Sequence, residues 1–240
     1  MRREKLLETT RMALCWRHWV LLLVVLQLAG LLVGCAATRS PVTGSFDRPA
    51  EKNDGAEKVS VFFLFRHLEQ EHGYDSIPKL QTFGVKDFDN FFRDSLAEIS
   101  NISQFATFTE FPDDVNKPKR RQELDAFRGS HDYTLDITFF KESSFKQQCL
   151  SGTISLLSLT IIPMPYTWDY TISAKLMDKS GKEVRSYQRK ASLNNWMQAL
   201  LIFAYPYYPL EGRREEIYSE SLHDIFRQIE TEKVLKKVSS

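Results

Sequence analysis

Val59 to His67, VSVFFLFRH, is the stretch that decides the fold. It is a short apolar run dense in Val and Phe, and it predicts a β-strand. Downstream, Lys86 to Ile102 repeats apolar residues at Phe88, Phe91, Phe92, Leu96, Ile99 and Ile102. That spacing, with a polar back face, predicts a helix. Gln104 to Phe111 (QFATFTEF) alternates and predicts a strand. Asn116 and Pro118 mark a helix start and Gly129 its end, with Leu124 and Phe127 on the buried face. Asp132 to Phe140 (DYTLDITFF) is a further strand. Tyr166 to Met177 and Glu183 to Leu193 flank Asp178-Lys179-Ser180-Gly181-Lys182, a turn signal, and pair as a hairpin. Arg213 to Lys237 carries Ile217, Leu222, Ile225, Phe226, Ile229 and Leu235 at helical spacing. The order β-α-β-α-β-β-β-α predicts an α/β fold: a single α/β sandwich, a mixed sheet covered by helices.

Composition agrees with one folded domain. The chain has 240 residues, is 42% hydrophobic and 26% charged, and has a formal net charge of +1. Disorder throughout is excluded, and no charge excess points to nucleic acid. Upstream of the first strand, Ala36 to Lys58 is rich in Ser, Thr, Pro, Gly and charge, with little to bury. It reads as a flexible tether, so residues 59–240 form the domain.

The first residues read as an address. Trp19 to Val33, WVLLLVVLQLAGLLV, is uncharged and preceded by Arg11, Arg17 and His18. It is shorter than the roughly 20 residues of a membrane span and has the make-up of a secretory leader. It ends Leu32-Val33-Gly34-Cys35. This resembles the lipobox of bacterial lipoproteins. The resemblance implies a signal peptide over residues 1–34, lipidation of Cys35, and palmitate-type acyl chains holding the protein to a membrane. Ala36, in place of Asp, implies sorting to the outer membrane, with the domain facing the periplasm. Removal of the leader also takes Cys15, which leaves Cys149 as the one free thiol. Two acyl signals or more make anchoring effectively permanent.

Two short motifs carry a second resemblance. Gly129-Ser130-His131-Asp132-Tyr133-Thr134-Leu135 and Leu176-Met177-Asp178-Lys179-Ser180-Gly181-Lys182 are similar to steps in curli-type secretion-channel lipoproteins and in lipoprotein activators of cell-wall synthases. The similarity spans Val59 to Lys190 and concerns the fold, which does not deliver function. The chain lacks the two long alternating strands of the pore-forming members, so no β-pore is carried over.

Two uncharged stretches stand out. No residue between Lys146 and Asp169 is charged, and none between Lys190 and Glu211. The hairpin must bring both stretches to the end of the sheet opposite the Gly181 turn. Long apolar patches of this kind mark membrane or partner surfaces. The first offers Leu156, Leu157, Ile161 and Ile162, with Tyr166 and Trp168 at its end. The second offers Trp196, Leu200, Leu201, Ile202 and Phe203, then Tyr205, Tyr207 and Tyr208. Trp and Tyr prefer the bilayer interface. Segments 150–165 and 196–209 are therefore expected to contact membrane or a partner. The alternative is that both are core elements.

Catalytic signals are sparse. His67, Glu69, Glu71 and His72 form the densest cluster, with Asp75 nearby, but H-x-x-x-E-H misses both zinc-protease spacings. No nucleophile elbow, P-loop or dinucleotide motif occurs. Lys117 to Arg121 is a basic cluster best read as a solvated helix start. No cofactor and no catalytic residue is expected. The leading expectation is a non-catalytic envelope lipoprotein acting as an interaction or assembly module. A subunit of an oligomeric export assembly is the second, and a metal-dependent hydrolase using His67, Glu71 and His72 the third. Partners would be the membrane, an envelope protein or further copies of the chain. Because MRREKLLETTR is long for a leader's positive region, Met12 is expected to be the functional start. Replacing Met1 should then leave export intact, and loss of export would place the start at Met1.

Overall fold

β2 (Val59–His72) is the middle of the structure. From Val59 to Phe65 every residue is buried, which requires cover on both faces of the sheet. The computed structural model describes residues 34–49, 51–53, 55–82, 85, 87–198 and 209–237, with backbone alone for residues 34 and 35. Its fold is mixed α/β, with one seven-stranded sheet that does not close into a barrel. The other strands are β1 (Gly34–Arg39), β3 (Lys79–Leu80), β4 (Ile102–Thr109), β5 (Tyr133–Ser144), β6 (Met164–Asp178) and β7 (Glu183–Gln198). The helices are α1 (Phe88–Leu96), α2 (Pro118–Ser130), α3 (Phe145–Leu157) and α4 (Leu210–Thr231), with a short 3-10 turn at Pro112–Asn116.

The sheet runs β1-β7-β6-β5-β2-β3, and β4 also pairs with β2, ahead of β3. β2 is parallel to β4 and β5, and the other pairs are antiparallel. The chain steps outward from β2 through α1 to β4, then back across β2 through α2 to β5. A fixed crossover hand puts two such helices on opposite faces. On one face, α1 and α4 cover Val61, Phe63, Phe65, Leu135, Ile137 and Ile172. Phe92 of α1 meets Phe63 and Phe65 edge-on, with centroids 5.1 and 5.2 Å away. On the other face, Leu124 and Phe127 of α2 pack on Phe62, Leu64 and Phe108. The predicted sandwich is the observed one.

Three elements lie outside the predicted order: β1, β3 and α3. β1 corrects the expected tether. Residues 34–39 pair with β7 in antiparallel register, from Gly34 opposite Gln198 to Arg39 opposite Leu193. Thr43 and Lys190 then exchange backbone hydrogen bonds of 2.7 and 3.1 Å. Ala36, Ala37 and Val42 are buried, so small side chains suffice to seat this segment. The long β7 offers it an otherwise open edge.

A buried ionic knot fastens the same segment. Arg189 of β7 and Asp224 of α4 form an ion pair with side chains almost wholly buried. Arg227 adds a second guanidinium at 2.6 Å, and the Phe46 N–H donates to both Asp224 oxygens at 3.0 and 3.1 Å. Removing one partner of such a pair strands a buried charge and costs about 3–5 kcal/mol, whereas an apolar pair of similar volume can be neutral. Asp224→Ala should therefore lower unfolding free energy in urea by about 3–5 kcal/mol, and Asp224→Leu with Arg189→Met should recover most of it.

Candidate functional site

α3 is turned inside out for a helix of a globular protein. Ser144 caps it by accepting the Gln147 N–H. Ser151 and Ser155 point inward and are only 2% and 3% exposed. Ser151 donates to the Pro165 carbonyl at 2.8 Å, and a Cβ at Gly152 would come within 3.4 Å of the Tyr166 hydroxyl. Small residues thus let the helix lie close on β6. The large ones face out: Leu150, Leu156 and Leu157 are 58%, 75% and 80% exposed. The exposed Cys149 precedes Leu156 by two helical turns.

The chain leaves α3 through two left-handed residues, Leu159 (φ 49°) and Thr160 (φ 60°). Such a conformation is strained for a β-branched residue. It turns the chain back into β6 and keeps Leu159, Ile161 and Ile162 exposed. The core alternative for residues 150–165 is thereby overturned for Leu156, Leu157, Ile161 and Ile162.

This apolar elbow sits where several strands meet. Cys35 of β1 lies opposite Met197 of β7, which lies opposite Met164, the first residue of β6. Gln198 donates to the Ile161 carbonyl at 3.3 Å. Cys35 and the elbow therefore share one end of the sheet. Lys146 and Asp169 are the nearest charges in sequence on either side of the elbow.

The other candidate contact residues divide. Trp168 is half-buried, packs against the core and has the Lys141 ammonium 5.4 Å from its ring centre. It is therefore a core residue as much as a surface one. Trp196 is partly buried, and its indole N–H donates to the Thr38 hydroxyl at 3.2 Å. Leu200, Leu201, Ile202, Phe203, Tyr205, Tyr207 and Tyr208 lie outside the described residues, as do residues 1–33 of the expected 1–34 signal peptide. Among the described residues, no helix is long and apolar enough to cross a membrane.

Strand geometry separates the candidate metal ligands. Five residues apart on β2, His67 and His72 fall on opposite faces. His67 is buried and stacks on Phe139 with centroids 4.8 Å apart. His72 points outward to Glu142 at 2.8 Å. Among the described residues, no group of three or more His, Cys, Asp or Glu could hold a metal ion. The two short motifs at residues 129–135 and 176–182 prove to be local pins. Asp132 accepts from the Ser60 N–H and hydroxyl, both at 2.8 Å, which ties the start of β5 to β2. Those bonds hold its carboxyl below the usual range, the backbone one foremost. Asp178 accepts from the N–H groups of Ser180 and Lys182 and closes the hairpin turn.

Two polar cavities accompany the fold. One of about 250 Å³ is lined by His67, Glu69, Gln81, Lys141, Arg214 and Tyr218. The other, about 290 Å³, lies on the α2 face around Arg66, Arg128, Asp136 and Lys179. There, burial raises the Asp136 carboxyl against the pull of Arg66. Sequence reasoning missed Arg66 and Asp136, which periodicity assigns to a strand without showing that they pair.

No family model and no curated protein matches the chain. Two solved structures of the PelC dodecamer from Paraburkholderia phytofirmans do, one of them of a single-residue variant. They are 11% and 12% identical, over 80% and 78% of this chain and 99% and 96% of theirs, with TM-scores of 0.29 and 0.27. Both identity and superposition are too low to place the chain in that family.

His67 yields a pH dependence. Desolvation, assisted by the charge of Arg214, pushes it from 6.5 down to about 3. In that window the unfolded chain binds a proton the folded one does not, so stability falls as pH falls. The slope should approach about 1.4 kcal/mol per pH unit between pH 6 and 5. Chemical unfolding across that range should show it, and His67→Gln should flatten it.

Proposed function

We propose that this chain is a lipid-anchored, non-catalytic protein of the bacterial envelope that serves as an interaction or assembly module. Its elbow over residues 156–162 faces the leaflet that holds its anchor. The observation that carries this reading is the shared position of Cys35 and the outward-turned elbow. If Cys35 bears the acyl chains, β1 starts at the membrane with no slack. The domain then stands with the elbow against the same leaflet. Fully covering a large apolar side chain gains about 1.5–3 kcal/mol, so the five exposed ones, Leu156, Leu157, Leu159, Ile161 and Ile162, reinforce the anchor and fix orientation. The lipobox and Ala36 favour the outer membrane and a periplasmic domain. With β1 paired to the sheet, reach comes from orientation rather than from a long tether.

A second reading, a subunit of an oligomeric export assembly, is favoured by the open edges of the sheet. The hydrolase reading has no geometric support, since His67 and His72 diverge.

Flotation tests the leading reading. The mature chain, residues 35–240 with Cys35→Ala, should rise with liposomes. The same chain carrying Leu157→Asp and Ile162→Asp should rise at least about tenfold less, because each charge would have to enter an apolar layer. Both side chains are exposed, so circular dichroism and Tm should not change. A parent that stays below the liposomes, or a variant that floats equally, would refute membrane contact and turn attention to a protein partner.

A further inference from the structure

The cavity of about 290 Å³ on the α2 face lies at the end of the sheet away from the elbow. Thr134, near the start of β5, is opposite Met177 there, and the Gly181 turn closes the same end. Arg66 of β2, Asp136 of β5, Arg128 of α2 and Lys179 of the turn complete the lining. Alternation along β2 puts Arg66 on the face of Phe62 and Leu64, under α2. The volume is just below the roughly 300–1,000 Å³ of small-molecule pockets, so it admits one residue-sized group.

Two buried polar atoms in this lining go unanswered. Asp136 is 8% exposed. Its Oδ2 accepts from Arg66, but its Oδ1 has no hydrogen-bond partner among the described residues. The buried Nε–H of Arg128 has none either. A buried donor or acceptor left unmade costs its full desolvation, so each calls for a partner. The other charges divide into committed and available ones. Arg66 is shared by Asp136 and Glu110, and Asp178 accepts from its own turn. Arg128 has the exposed Asp125 carboxylate 3.9 Å away. Lys179 is exposed on the rim and enters no ion pair among the described residues. The cavity thus asks for a donor at Asp136 and an acceptor at Arg128, with a further positive charge beside it.

We propose that this cavity binds a peptide C-terminus, an α-carboxylate with an amide N–H beside it. The N–H of the last peptide residue donates to Asp136 Oδ1. The carboxylate accepts from the Arg128 Nε–H and lies beside the Lys179 ammonium, and Met177 gives the last side chain an apolar wall. Charge-assisted bonds of this kind are roughly twice as strong as neutral ones. A plain carboxylate would leave Asp136 unanswered, and a neutral sugar would leave the positive charge unused. In the membrane reading above, this end of the domain points away from the leaflet, toward a partner's tail. Only that orientation rests on the membrane reading; the site does not.

The test is ligand-observed NMR titration of the full chain in detergent, without liposomes. N-acetyl-L-alanine should bind saturably. Its amide, which lacks the carboxylate, and propionate, which lacks the N–H, should each bind at least about tenfold more weakly. Arg128→Gln should weaken N-acetyl-L-alanine by about tenfold, and Lys179→Gln by about two- to fivefold. Both side chains reach solvent, so circular dichroism should not change. Lys182→Gln, outside the cavity, should bind like the parent. Preference for N-acetyl-D-alanine over the L form would uphold the site and assign it to cell-wall peptides rather than protein tails. The proposal is overturned by no saturation at tens of millimolar, by equal binding of the three probes, or by binding that survives both cavity substitutions. Glucose binding in place of the acid would also overturn it and give the cavity to a carbohydrate. Because no membrane is present, failure here leaves the flotation result standing, and failed flotation leaves this one standing.

Discussion

Seven consecutive residues, Val59 to Phe65, are sealed from water on both faces of the sheet, and the rest of the structure follows from that burial. A strand apolar on one face needs one covering layer. This one needs two. α1 and α4 supply the first, and α2 the second. The order of elements meets the demand economically, since the outward and return crossovers must fall on opposite faces. β2 then holds β5 along one side and β4 along the other, which fixes the direction of every strand.

Direction decides what meets what. Because β5 and β7 end where β6 and β1 begin, four chain segments converge at one end of the sheet. The uncharged stretch after Lys146 is placed there. So is Cys35. α3 packs on β6 through serines and a glycine, and this leaves its leucines to the outside. A soluble helix buries its large apolar residues because the transfer of each is worth more than that of a serine. The reversed arrangement is stable only where something else covers the leucines or where their exposure is used.

The ionic knot at Asp224 has a different task. It joins the N-terminal segment, β7 and α4 through one carboxylate that accepts from two guanidinium groups and a backbone N–H. Such groups contribute little net stability relative to an apolar cluster, but their geometry admits one arrangement. That fixes where the segment after β1 lies, and so holds the start of β1 at the elbow end.

The sequence by itself determined the middle of the protein. Val59–His67, the spacing of Phe88 to Leu96, the Asp178–Lys182 turn and the pattern of the last helix each report a local period, and each period survives folding. The resemblance of Leu32 to Cys35 to a lipobox is equally local, since it is read from adjacent residues. Tertiary structure decided the rest. Whether Ser151 or Leu157 faces the sheet depends on how closely β6 is approached, and no period encodes that distance. Ala36 to Val42 looked too poor in apolar surface to fold. Yet an open edge on β7 supplies backbone hydrogen bonds that composition does not reveal. His67 and His72 looked like a cluster because they are near in sequence; strand alternation parts them, because successive side chains of a pleated strand point to opposite faces.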